Sequence, residues 1–247
     1  MGFDGVEILL VQMQATGSMD NAYLQRLKRQ ALHSGLTLYG LSTHHQFLST
    51  TQEKRDEEIA KTKRQIEIAY SLGIPTIRIQ TGTWGTSGSF DQLMEKKGIE
   101  EPVEGYNNED AFKWVIDGIH QCLPKAEECG VTLGLENHCG LGRTEEGMLR
   151  ILNAVDSPWL QFTADTGNFL DNKYEQLEAI APDTVLLQAK TYYGGGLWYE
   201  NEADFDKVAK IFHKENYKGY VSLEIEGKED AMTAVPKSLE RLRLSFS

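Results

Sequence analysis

Leu135-Glu136-Asn137-His138-Cys139-Gly140 decides the reading of the fold, taken with Ala164-Asp165-Thr166-Gly167-Asn168 and Ser222-Leu223-Glu224-Ile225-Glu226-Gly227. Each stretch sets a carboxylate at the carboxyl end of a short run of leucine and β-branched residues. In a parallel barrel of alternating strands and helices those ends converge on one rim, where active sites are built. Three carboxylates on one rim repel each other unless a cation neutralises them. The residues therefore imply a divalent metal before any relationship is considered.

Working outward, the chain alternates strand-like runs with amphipathic windows. The strand candidates are residues 5–10, 36–42, 76–81, 131–137, 160–164, 184–190 and 220–225. Between them, Tyr23, Leu24, Leu27, Ala31 and Leu32 recur at helical spacing ahead of Gly35, and Ile59, Ile66, Ala69 and Leu72 do so ahead of Gly73. Trp114, Val115, Ile119, Cys122 and Leu123 mark another helix, and Phe205, Val208, Ala209 and Phe212 a late one. Strands alternating with helices predict βα units and a parallel sheet, in one domain over residues 1–247. Seven strands are visible where a barrel of this class needs eight. The expectation is a (β/α)8-type barrel whose first β/α unit is missing from this chain, with a gap beside the first visible strand. A seven-stranded or open barrel is the alternative.

Side chains alternate along a strand. Glu136 shares a face with Gly134 and Thr132, Asp165 with Thr163, Gln188 with Lys190, and Glu224 with Ser222 and Glu226. Polar residues thus line one face of otherwise apolar strands, and buried charges of this kind are paired or bind metal. Two connections after strand ends are long, residues 82–108 and 191–200. Both are aromatic and glycine-rich, and both are expected to wall one cavity on the carboxylate rim.

Composition narrows the partners. With 247 residues and a formal net charge of -12, the chain is poorly suited to neutralising a phosphate backbone, so no nucleic acid is expected. No apolar run approaches the roughly 18 residues that span a bilayer, so no membrane is expected either. The N-terminus lacks a basic region ahead of its apolar stretch. Three cysteines without framework spacing suggest reduced thiols and a cytoplasmic protein. A homo-oligomer is left open.

The three motifs, in this order on these strands, resemble the xylose isomerase-like barrel superfamily of sugar isomerases and epimerases, which also contains apurinic endonucleases of the endonuclease IV type. The resemblance implies four metal ligands, Glu136, Asp165, Gln188 and Glu224, and makes Glu136 and Glu224 the catalytic pair that removes and returns a proton. Gln188 stands where the family usually carries histidine. Three carboxylates and an amide favour Mn²⁺ or Mg²⁺ over Zn²⁺. The alternatives are a site with three protein ligands, a degenerate one, or carboxylates held by Arg78 and Lys190 in a buried ion network.

The implied activity is isomerisation or epimerisation of a small polyhydroxylated substrate. A lyase or dehydratase acting on a keto-sugar or keto-inositol, or a non-catalytic sugar-binding barrel, would use the same parts. Glu7, His45, Arg78, His138, Lys190 and Trp198 are the expected substrate contacts. His45 is preferred over His44 because only one of the two can face the axis. The histidines an endonuclease would need are absent from positions 168 and 188.

Overall fold

A computed structural model describes residues 2–15, 19–197 and 199–247. Seven strands form one parallel sheet in chain order: β1 Gly5–Leu9, β2 Thr37–Ser42, β3 Thr76–Ile79, β4 Thr132–Glu136, β5 Leu160–Asp165, β6 Thr184–Thr191 and β7 Val221–Ile225. Each lies within one or two residues of its expected span. Around them lie α1 Leu10–Ala15, α2 Asn21–His33, α3 Gln52–Leu72, α4 Phe90–Glu95, α5 Asn108–Cys129, α6 Glu145–Val155, α7 Lys173–Ile180, α8 Phe205–Lys214 and α9 Ala231–Phe246.

The helix boundaries follow local chemistry. Asn107 and Asp110 form a reciprocal capping box at the start of α5. Gly73 and Gly130 end α3 and α5 in left-handed backbone, at φ +75° and +63°. The core lies between sheet and helices. Ile66, Val115, Ile119, Met148, Ile151, Leu177 and Phe212 are fully buried there against Ile77, Leu133, Leu135 and Phe162. The opposite, inward faces of the strands carry the polar residues Arg78, Glu136, Thr163, Asp165, Gln188 and Lys190, all buried. Gly134 belongs to this inner layer, and a side chain there would collide with the Thr163 hydroxyl.

Among the described residues, β1 and β7 do not pair with each other, so the expected gap is present. Side chains bridge it. Ser222 donates to Glu7 Oε2 at 2.5 Å, Tyr39 stacks on Tyr220 with ring centroids 4.1 Å apart, and Arg243 meets Asp4 at 3.2 Å. A cavity of about 1210 Å³ follows this seam, lined in part by Phe3, Val6, Leu239 and Phe246.

The long connection after β3 is anchored by backbone contact. Gly140, at φ +79°, lies so close to the Gly82 carbonyl that a Cβ would run into it. Gly140→Ala therefore meets both left-handed strain and a backbone clash. Its unfolding free energy should fall by at least about 1–3 kcal/mol. Gly130→Ala, with open space around it, should lose only the left-handed penalty of about 1–2 kcal/mol. Urea unfolding of the two variants checks the difference.

Candidate active site

Glu136 ends β4, Asp165 ends β5, Gln188 lies in β6 and Glu224 in β7. The register sets Asp165 beside Gln188 and Lys190 beside Glu224. Arg78 of β3 donates to Glu136 Oε1 at 3.2 Å, and Gln80 donates to Oε2 at 2.5 Å. Asn168 also reaches Oε1, at 3.4 Å. Burial works against the charge of Glu136, but Arg78 foremost, with His138 and Lys190, outweighs it and holds the carboxyl below its ordinary pKa.

Lys190 is the second cation. Its Nζ lies 3.3 Å from Asp165 Oδ2, 3.2 Å from Glu226 Oε1 and 4.0 Å from Glu224 Oε2, and it donates to Asn168 Oδ1 at 2.8 Å. Burial pushes Asp165 up to about 6 and Glu224 up to about 8, Lys190 offsetting part of each rise. The Glu224 side chain as a whole is 37% exposed, yet its Oε2 is fully covered, which is why burial dominates there. The ion network with Arg78 and Lys190 is thus present.

Among the described residues, no three His, Cys, Asp or Glu side chains stand close enough to hold a metal ion. Of the expected ligands Glu136, Asp165, Gln188 and Glu224, the three carboxylates are divided between two cations: Arg78 draws Glu136, while Lys190 stands between Asp165 and Glu224. Three oxygens in the group are nonetheless buried without a hydrogen-bond donor, namely Asp165 Oδ2, Gln188 Oε1 and Glu224 Oε2. Lys190 offsets the charge on Asp165 Oδ2 and Glu224 Oε2 without a hydrogen bond to either, and Gln188 Oε1 has neither a donor nor an ion pair, which is costly for a buried acceptor. An all-oxygen set of this chemistry fits a hard divalent cation.

The remaining expected residues divide. His138 is buried near Glu136, and burial lowers its pKa to about 4, so it is neutral. His45 is a correction. It stacks on Phe47, with centroids 5.4 Å apart, and meets Thr43 and the α3 residue Gln65, away from the axis. His44 instead feels Arg78 and Glu136. The parity rule failed because β2 ends at Ser42, before either histidine.

Glu7 is also placed differently from expectation. Its carboxylate accepts from Ser42, Ser222 and Gln188, and the residue borders the cavity along the seam between β1 and β7. Trp198 lies outside the described residues. Sequence reasoning missed Gln80, Asn168 and Tyr199 as site members, though the shared parity of Gln80 with Arg78 was a usable signal.

Both long connections reach this rim. Phe90, Met94 and Gly98 from residues 82–108 meet Tyr199, His138, Cys139 and Asn168 around a cavity of about 10 Å³. Tyr199 donates to Asn168 Oδ1 at 3.0 Å. The Gly196–Gly227 bridge ties the second connection to the end of β7.

A parallel barrel with acidic strand ends facing one mouth defines the class. The chain belongs to the xylose isomerase-like TIM barrel family, whose sequence pattern matches residues 1–244. Among curated proteins it is similar to the C-glycoside deglycosidase alpha subunit of Arthrobacter globiformis, 26% identical over 175 residues. That match covers 68% of this chain and 38% of the relative's length. Among solved structures it resembles the apo 3-keto-D-glucoside 4-epimerase of E. coli, with TM-score 0.77 and 20% identity, covering 98% of this chain and 90% of that one. D-psicose 3-epimerase of Clostridium cellulolyticum H10, solved with D-tagatose, superposes with TM-score 0.77 at 14% identity, covering 100% and 90%.

A titration follows from the raised carboxyl of Glu224. A group whose folded pKa is raised supports the fold when protonated, and that support fades as pH climbs from the ordinary value, 4.5, through about 8. In chelator-treated protein, the stability of Glu224→Gln relative to wild type should rise steadily between about pH 5 and 8. Denaturant midpoints at several pH values measure it; a flat difference would contradict the placement.

Proposed function

We propose that this protein is a divalent-metal-dependent isomerase or epimerase of a small sugar or polyol, abstracting a proton next to a carbonyl. The observation that carries the reading is the set of donorless buried oxygens on Asp165, Gln188 and Glu224 beside Glu136, at the mouth of the barrel. Glu136, Asp165, Gln188 and Glu224 would hold the cation, with Mn²⁺ or Mg²⁺ favoured over Zn²⁺. When bound, the metal polarises substrate oxygens and makes the adjacent C–H more acidic.

The chain's own residues do the rest. Glu136, kept ionised by Arg78, takes the proton. Glu224, from a strand on the far side of the barrel and carrying a raised pKa, returns one. Two carboxyl groups pushed apart in pKa by their surroundings are the arrangement that acid–base work requires. Lys190 and Asn168 supply donors for substrate oxygens, and His138, being neutral, adds a hydrogen bond without charge. Tyr199 and the residues 82–108 limit water at the rim.

The deglycosidase relative favours a second reading on the same parts. After the same abstraction, the group on the next carbon leaves in a β-elimination instead of the proton returning. Product analysis separates the two: an epimer with deuterium at the inverted carbon supports the first, and an unsaturated product with a released leaving group supports the second. The proposed partner is a small polyhydroxylated molecule and no nucleic acid. No helix among the described residues is long and apolar enough to cross a membrane.

The test is solvent deuterium exchange on a panel of ketoses and keto-glycosides with Mn²⁺ added. Glu136→Gln and Glu224→Gln should each slow exchange by at least about 10²–10⁴-fold. Gln188→His should keep the fold and move metal preference toward Zn²⁺. Exchange undiminished in both glutamate variants would defeat the mechanism.

A further inference from the structure

Gln188 stands where histidine was expected, and the structure sets the inward carboxylate of Glu7 against it. The pairing of β1 with β2 shifts register between Val6 and Glu7, an irregularity of the kind that re-aims a side chain. Glu7 faces Gly40 across that pairing. A Cβ on Gly40 would sit 3.0 Å from Glu7 Cγ, so the glycine leaves room for the glutamate to turn inward.

There Glu7 accepts from three donors. Ser42 and Gln188 donate to Oε1, the latter at 2.9 Å, and Ser222 donates to Oε2 at 2.5 Å. Tyr39 in turn donates to Ser222 at 3.0 Å. The second amide proton of Gln188 points at Ser42 Oγ, 3.4 Å away. A primary amide has two N–H donors and one carbonyl acceptor. Both donors of Gln188 are therefore committed on the Glu7 side, and its Oε1 is the atom left buried without a partner. Turning the amide over would set its oxygen against a carboxylate and its N–H₂ toward the cation site.

The geometry points to Glu7 as the positioning residue that fixes which end of the Gln188 amide faces the cation. Glu7, with Ser42 beside it, makes position 188 an oxygen ligand and the site an all-oxygen one. This rests on the metal-dependent reading above and deepens it. In this role Glu7 acts through Gln188, to whose amide it is hydrogen-bonded. Outer partners that orient ligands in this way typically change metal affinity about 10–100-fold when removed.

The experiment is a Mn²⁺ titration followed by electron paramagnetic resonance, on the full chain in four forms: wild type, Glu7→Leu, Gln188→His, and the two changes together. Circular dichroism confirms the fold of each, and Glu7→Gln replaces Glu7→Leu if the latter does not fold. Glu7→Leu should weaken Mn²⁺ binding about 10–100-fold in the Gln188 protein. In the Gln188→His protein the same change should cost less than about threefold, because imidazole binding needs no amide to be oriented. Pulsed spectra should show no directly ligated nitrogen in wild type and one in Gln188→His.

In metal-free protein, the Gln188 side-chain amide protons should be protected from exchange, and that protection should be lost with Glu7→Leu. Equal loss of affinity in both backgrounds, or none in either, would overturn the positioning role while leaving the metal site standing. No Mn²⁺ binding by wild type at millimolar concentration would overturn the metal reading, and this inference with it.

Discussion

Everything at the mouth of this barrel depends on how two buried cations divide several carboxylates. Arg78 takes Glu136, while Lys190 stands among Asp165, Glu224 and Glu226. An unpaired buried charge costs several kcal/mol, so neither cation can be spared. They do not balance the site: five carboxyl groups, counting Glu7, face two cations. Burial raises Asp165 and Glu224, the neighbouring carboxylates add to the rise, and Glu136, next to Arg78, is lowered instead. Three acceptor oxygens, on Asp165, Gln188 and Glu224, remain without hydrogen-bond donors.

The scaffold makes that crowding tolerable. Strand register sets neighbours at fixed heights, Gln188 beside Asp165 and Glu224 beside Lys190. Glycines thin the inner layer where side chains must cross it: Gly134 yields to Thr163, and Gly40 yields to Glu7. Helices outside, packed on an apolar layer, hold the strands while the inner faces carry charge.

What was legible in the sequence was what depends on local pattern. All seven strands could be read from short apolar runs, and the rim carboxylates from their place at the strand ends. Alternation put Glu136, Asp165, Gln188 and Lys190 on the inner face correctly, because each lies within a strand. It failed at His44 and His45, since parity means nothing once a strand has ended. Helix α4 went unseen because six residues with a Ser89 cap carry too little periodicity inside a glycine-rich connection. The partners of Glu7 were not legible at all. They come from residues 42, 188 and 222, and only the closing curvature of the sheet brings those together.

The seam between β1 and β7 has its own consequence. Elsewhere the sheet is laced by backbone amides, a ladder that resists separation at every rung. Here the circle is fastened by a clasp of side chains: a carboxylate, a serine, a stacked tyrosine pair and an arginine. A clasp can be undone without unravelling a ladder, so this is the line along which the barrel yields first. Because Glu7 is both a part of the clasp and the group that steadies Gln188, springing the seam and disarranging the mouth are one motion of one molecule.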